Sequence, residues 1–171
     1  TVLDPTRTAP ARIEDEPRPD TGIEAALLLA VLAERGGDRV DFLAYDRRLR
    51  ARVESASKGN LLGQLVQAIA PLEAELIELD WQQVPAQVRA VSAHRSMVVL
   101  LTALDGGAPE EGLPPTVAQL SRQHVVVVAS VRDPLLSAMK EERSTASQVF
   151  RAAAAERALL ERAAVTAQLR Q

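Results

Sequence analysis

Apolar positions fall along this chain in two rhythms. Ser96 to Thr102 (SMVVLLT) and Val125 to Val131 (VVVVASV) are continuous apolar runs, the pattern of strands buried on both faces of a sheet. Arg39 to Tyr45 (RVDFLAY) and Leu49 to Val53 (LRARV) alternate apolar with polar residues, and Asp46-Arg47-Arg48 joins them as a hairpin. Val2-Leu3 reads as one further strand that ends at Asp4.

Helical segments lie between these runs. Gly22 to Arg35 is rich in helix formers and stops at Gly36-Gly37. Asn60 to Ala70 is helical until Pro71 ends it. A third helix, opened by Asp80 or by Val84-Pro85, runs to about His94. Gly106 to Pro115 reads as loop, Val117 to His124 as a short helix, and Pro134 to Glu142 as another. Ser144 to Leu169 forms one long, Ala-rich helix, with Val149, Ala153, Leu160, Ala164 and Leu169 near helical spacing on its expected apolar face. Strands alternating with helices predict an α/β fold: an open, doubly wound, mostly parallel sheet in a three-layer α-β-α arrangement.

Composition narrows the picture. The 171 residues suit a single domain over 1–171, and aromatics at 2% leave the core to Leu, Val, Ile and Ala. A net charge of −3 is too small to steer nucleic acid, so none is expected as a partner. The absence of Cys excludes disulfides, zinc thiolates and a cysteine nucleophile. The longest apolar run, Ala25 to Ala33, is far shorter than the roughly 20 residues of a spanning helix.

In open α/β sheets ligands bind beyond the carboxyl ends of the strands. Asp4-Pro5-Thr6-Arg7-Thr8 ends the first strand and Thr102-Ala103-Leu104-Asp105 a later one, which places two acidic loops on one rim. Alternate residues of an extended loop point the same way, so Asp4, Thr6 and Thr8 present three oxygens suited to a hard cation such as magnesium. One carboxylate would leave that ion under-neutralised and open to a carboxylate from another protein. Two other readings use the same residues. Asp4 makes an Asx turn with Thr6, or Asp4 is the nucleophile of a magnesium-dependent phosphotransfer enzyme, whose motif has the same Asp-x-Thr-x-Thr spacing. The partners that chemistry needs are sparse: Lys58 and Lys140 are the sole lysines, and no Gly-Asp-x-x-x-Asp follows the later strands.

Other constellations yield less. There is no Gly-x-Ser-x-Gly, His-Glu-x-x-His or Gly-rich phosphate loop. His94 and His124 sit at expected helix ends, as caps. Arg48, Arg50 and Arg52 share one face of a strand and read as a solvated edge guard. Trp81 is either an exposed contact anchor or a residue packed over a helix entrance.

The blocks LDPTRT, GIEAALLLAVLAERGGDRVDFLAYDRRLRARV, SMVVLLTALD and RQHVVVVASVRDP resemble a bacterial family of uncharacterised proteins with a C-terminal von Willebrand factor A-like domain, often encoded beside MoxR-type AAA ATPases. The resemblance covers nearly the whole chain. It implies strand order 3-2-1-4-5, with Leu49 to Val53 antiparallel at one edge, and a non-enzymatic protein-protein contact domain. It further implies a metal-ion-dependent adhesion site for magnesium or manganese, in which Asp4, Thr6 and Thr8 match an Asp-x-Ser-x-Ser motif with Thr for each Ser. Leu79 stands where a second loop supplies Thr, and Ala103 where a third supplies Asp, so the site is degenerate; Asp80 and Asp105 are the nearby substitutes. The implied partner is a MoxR-type AAA ATPase on the cytoplasmic side of a membrane. The short first strand, and the strand that follows the last helix in relatives, lead to the expectation that the 171 residues are a fragment truncated at both ends, with any membrane segments outside it.

Overall fold

A computed structural model describes residues 1–5, 12–13, 16–54, 60–72, 79–104, 108–130, 134–141 and 143–170. The chain is α/β. Its strands are β1 (Val2–Leu3), β2 (Arg12–Ile13), β3 (Glu16–Pro17), β4 (Phe42–Tyr45), β5 (Leu49–Val53), β6 (Met97–Leu101) and β7 (Val125–Ala129). The helices are α1 (Arg18–Arg35), α2 (Leu61–Ile69), α3 (Val84–Val91), α4 (Ala108–Ser121), α5 (Pro134–Glu141) and α6 (Ala146–Gln168). The five-stranded sheet runs β5-β4-β1-β6-β7. Its pairs are parallel except β4 with β5, so the expected order holds, with the antiparallel strand at the edge. The strands β2 and β3 form a separate two-residue antiparallel ladder between β1 and α1.

Alternation along each strand feeds a core on either face. Leu3, Phe42, Ala44, Val99 and Leu101 pack under α1 and α2. There Ala26 and Ala30 let the α1 backbone approach closely, and Leu61, Leu65 and Ile69 form the buried stripe of α2. Val2, Leu43, Tyr45, Val98 and Leu100 face the other way, against Val84 and Val88 of α3, Leu113 and Leu120 of α4, and Val165 of α6. The helix α1 ends as expected: Gly37 adopts φ +81°, a left-handed turn that glycine makes at no steric cost.

Three expectations are corrected. Gly106 to Pro115 is not all loop, because α4 already begins at Ala108 and carries Pro114 and Pro115 inside it. Leu113 is fully buried, with Thr116 and Leu120 following at helical spacing, and this packing outweighs the lost backbone donors. The strand β7 is not buried on both faces: it is the sheet's outer edge, with Val125 52% and Val127 41% exposed. An apolar run signals a strand without fixing its neighbours. The apolar face expected for α6 is turned outward at Val149 and Leu160, and burial falls on Ala152, Ala155 and Val165. Small side chains bring this helix against its neighbours, so size rather than hydrophobicity decides which face packs.

Candidate functional site

The short β1 lies at the centre of the sheet, between β4 and β6, and Asp4 caps its carboxyl end. The Asp4 N–H donates to the Leu101 carbonyl at 2.9 Å, which ties this tip to that of β6. Thr102, the next residue on β6, is 8% exposed, and its hydroxyl donates to Asp4 Oδ2 at 2.7 Å. Its own N–H donates to the Ala129 carbonyl of β7 at 3.1 Å. Asp4 and the Thr102 segment, expected on one rim from their order in the sequence, are therefore in direct contact.

On the other side of β1, Asp46 ends β4 and is 1% exposed. Its Oδ2 lies 2.9 Å from the Arg50 guanidinium, and its Oδ1 accepts the Arg48 N–H at 2.8 Å. Burial alone would raise its pKa, but the Arg48 N–H, the Arg50 side chain and the Arg47 N–H together hold the carboxyl below its ordinary value. Arg50 is thus the anchor of a buried ion pair and not a solvated edge guard. Arg52 is more exposed, and donates to the Ala90 carbonyl at 3.2 Å while pairing with Glu54.

The Asp80 N–H donates to the Asp46 carbonyl at 3.1 Å, so the third rim loop hangs from the tip of β4. Asp80 caps the 3-10 turn Trp81–Gln83 by accepting the Gln82 N–H at 3.2 Å. Trp81 is buried, which decides for packing over exposure as an anchor. A Cβ on Gly112 would sit 2.4 Å from the indole, so glycine is what admits α4 this close. The Thr116 hydroxyl reaches the Trp81 and Gly112 carbonyl oxygens, both at 2.9 Å. Beneath this loop, burial and then the Asp80 and Asp46 carboxylates push the Tyr45 hydroxyl above its usual pKa.

Of the expected metal ligands, Asp4 and Asp80 are placed as described, whereas Thr6, Thr8 and Asp105 lie outside the described residues. Leu79 is half-buried against the α3–α4 core, and Ala103 follows Thr102 on the rim. The described residues offer a hard cation the Asp4 carboxylate and the Thr102 hydroxyl. Asp46 is committed to arginine, and no group of three His, Asp or Glu among the described residues converges as a metal site. Filling the octahedral shell of magnesium would therefore depend on Thr6, Thr8, Asp105 and water.

Sequence reasoning treated Asp46 merely as a turn residue. The signal was present: VLD, FLAYD, VVLLT and VVVVAS each end an apolar strand in an oxygen-bearing side chain, and Asp46, Asp4, Thr102 and Ser130 stand in that order across the sheet. The histidine caps are corrected as well. His124 is buried, and its Nδ1 lies 3.0 Å from Ser96 Oγ, linking the starts of β6 and β7. His94 lies exposed, beyond the last residue of α3. No helix among the described residues is long and apolar enough to cross a membrane. No family model, no curated protein and no solved structure matches the chain.

Proposed function

We propose that this chain is a von Willebrand A-like domain that acts by protein contact, without catalysis, through the rim formed by Asp4, Thr102-Ala103 and Leu79-Asp80. One observation carries the reading. At the tip of the central strand a half-buried carboxylate is held by a buried hydroxyl from the adjacent strand, 2.7 Å away. That is the place where open α/β sheets take their ligands. Neighbouring carboxylates Asp46 and Asp80 are fixed by main-chain and arginine bonds. The partner we favour is a MoxR-type AAA ATPase encoded beside the parent protein, met on the cytoplasmic side of a membrane to which that parent is anchored.

The rim in this reading is a degenerate metal-ion-dependent adhesion site. A magnesium or manganese ion would be held by Asp4 and Thr102, with Thr6, Thr8 and Asp105 as further donors. Its chemistry there is to accept a carboxylate oxygen from the partner. The competing phosphotransfer reading uses the same Asp4 as nucleophile, so the test has to separate the two.

A photo-crosslinking residue at Ala103, and another at Arg157 on α6, are incubated with the neighbouring ATPase. Contact through the rim predicts crosslinks from position 103 and none from 157. Beryllofluoride, which mimics an aspartyl phosphate, should leave no adduct at Asp4. Crosslinks from 157 alone, or a beryllofluoride adduct at Asp4, would overturn the proposal.

A further inference from the structure

The outer face of α6 carries a pattern that its own fold does not use. Phe150, Ala153, Arg157, Leu160, Ala164 and Ala167 follow one another at alternating steps of three and four, and all are exposed. This is a seam with a mean period of about 3.5 residues, the spacing by which two helices pack along their length. Phe150 at 77% and Leu160 at 66% are the most exposed large apolar side chains among the described residues. Val149 flanks Phe150 and is 48% exposed. The opposite face, with Ala152, Ala155 and Val165, is the one packed into the domain. A surface helix needs one apolar face to join its fold, and α6 has two.

We propose that this seam docks a second copy of the chain, α6 against α6 in antiparallel sense. The pattern complements itself in that arrangement. A twofold axis between Ala158 and Leu159 sets Phe150 opposite Ala167 of the partner subunit, Ala153 opposite Ala164 of the partner subunit, and Leu160 opposite Arg157 of the partner subunit. Each large ring then covers a small residue, the alanine layers let the two backbones approach, and the apolar stem of arginine lies along leucine.

Charge favours both the second copy and the antiparallel sense. Arg157 is the charged member of the seam, and its Nε lies 2.7 Å from Glu161 Oε1 of the same helix. In the antiparallel pair, Glu161 of the partner subunit comes level with Arg157 to within one residue's rise of about 1.5 Å. Two guanidinium groups and two carboxylates thus meet at the axis, and their charges cancel. Parallel pairing would instead set Arg157 against Arg157 of the partner subunit. An antiparallel shift of one heptad would leave Glu161 of the partner subunit about 10 Å away along the axis. A single polar residue in a helical seam fixes the register in this way, at some cost in stability. One helix pair is small beside the interfaces of permanent dimers, so the association is reversible.

Sedimentation equilibrium of the chain tests this. Between about 10 and 500 µM, the mass should rise from that of one chain toward that of two. Phe150→Glu and Leu160→Glu should each hold it at one, with monomer Tm within about 2 °C of the parent because both side chains are exposed. Arg157→Glu should weaken the dimer by about tenfold or more, and adding Glu161→Arg should restore it to within about threefold. The chain has no cysteine, so Ala153→Cys and Ala164→Cys chains can be mixed and mildly oxidised. They should join each other about tenfold faster than either joins itself. A single-chain mass throughout, a dimer that survives Leu160→Glu, or self-joining as fast as mixed joining would overturn the proposal. A monomeric chain that crosslinks from position 157 to the ATPase would overturn the second copy as occupant. A crosslink between two copies has twice the chain mass and is distinct from one to the ATPase, so failure here and failure of the rim proposal are told apart.

Discussion

Asp46 and Asp4 end neighbouring parallel strands, yet they are held in different ways. Asp46 is buried and faces a guanidinium and a backbone N–H, which makes it part of the hairpin's architecture. Asp4 is half-buried, and the hydroxyl that holds its Oδ2 comes from the next strand. A carboxylate at a strand tip is thus not a functional residue by position alone. What separates the two is burial and where the bonding groups come from: Asp46 is buried and bonded within its own hairpin, whereas Asp4 is half-buried and bonded by a neighbouring strand.

Removing each residue should show this contrast. Asp46→Ala removes a buried carboxylate that accepts from the part-buried Arg50 guanidinium and the Arg48 N–H, and should cost about 3–5 kcal/mol in denaturant unfolding. A loss below about 1 kcal/mol would mean that the pair is no more than a surface bridge. The same pair gives a pH signature. Because the Asp46 carboxyl is held below its ordinary value of 3.8, its contribution is complete above that pH and is lost as pH falls through its folded value. Stability of Asp46→Asn should therefore depend less on pH in that acid range than stability of the parent chain, measured by urea melts across it.

Gly112→Ala tests whether the rigid side of the rim extends to the Asp80 loop. The added methyl meets the Trp81 ring and should cost about 1–3 kcal/mol, with a change in Trp81 fluorescence. Unaltered fluorescence would show that the loop is not fixed through that contact. Smaller again is Thr102→Val, which removes one neutral donor to a carboxylate that is not fully buried. A loss of about 0.5–1.5 kcal/mol is expected, and a larger one would place Asp4 among the structural residues with Asp46.

Much of this was legible in the sequence. Strand runs and glycine stops located the sheet and α1, and the apolar tips of β1 and β6 located Asp4 and Thr102. The failures share a cause, in that tertiary packing overrode a local signal. Pro114 and Pro115 argue for loop, but burial of Leu113 and Leu120 keeps the segment helical. In α6 the largest apolar residues are the easiest to notice, but Phe150 is 77% exposed while Ala152 and Ala155 are buried. Helical period alone cannot tell the close-packed face of alanines from a partly apolar outer face. Asp46 was hidden because a hairpin turn explains an Asp by itself, and its bond to Arg50 exists only once β5 folds back on β4.

The central claim, that the Asp4 side of the rim is a contact surface and the Asp46 side is scaffold, is tested most directly by the affinity of Asp4→Asn, in magnesium, for the MoxR-type ATPase proposed as its partner. The substitution keeps the shape and an acceptor for Thr102 but removes the charge. The account predicts binding weaker by about tenfold or more with Tm within about 2 °C of the parent chain. Unchanged affinity at unchanged Tm would contradict it.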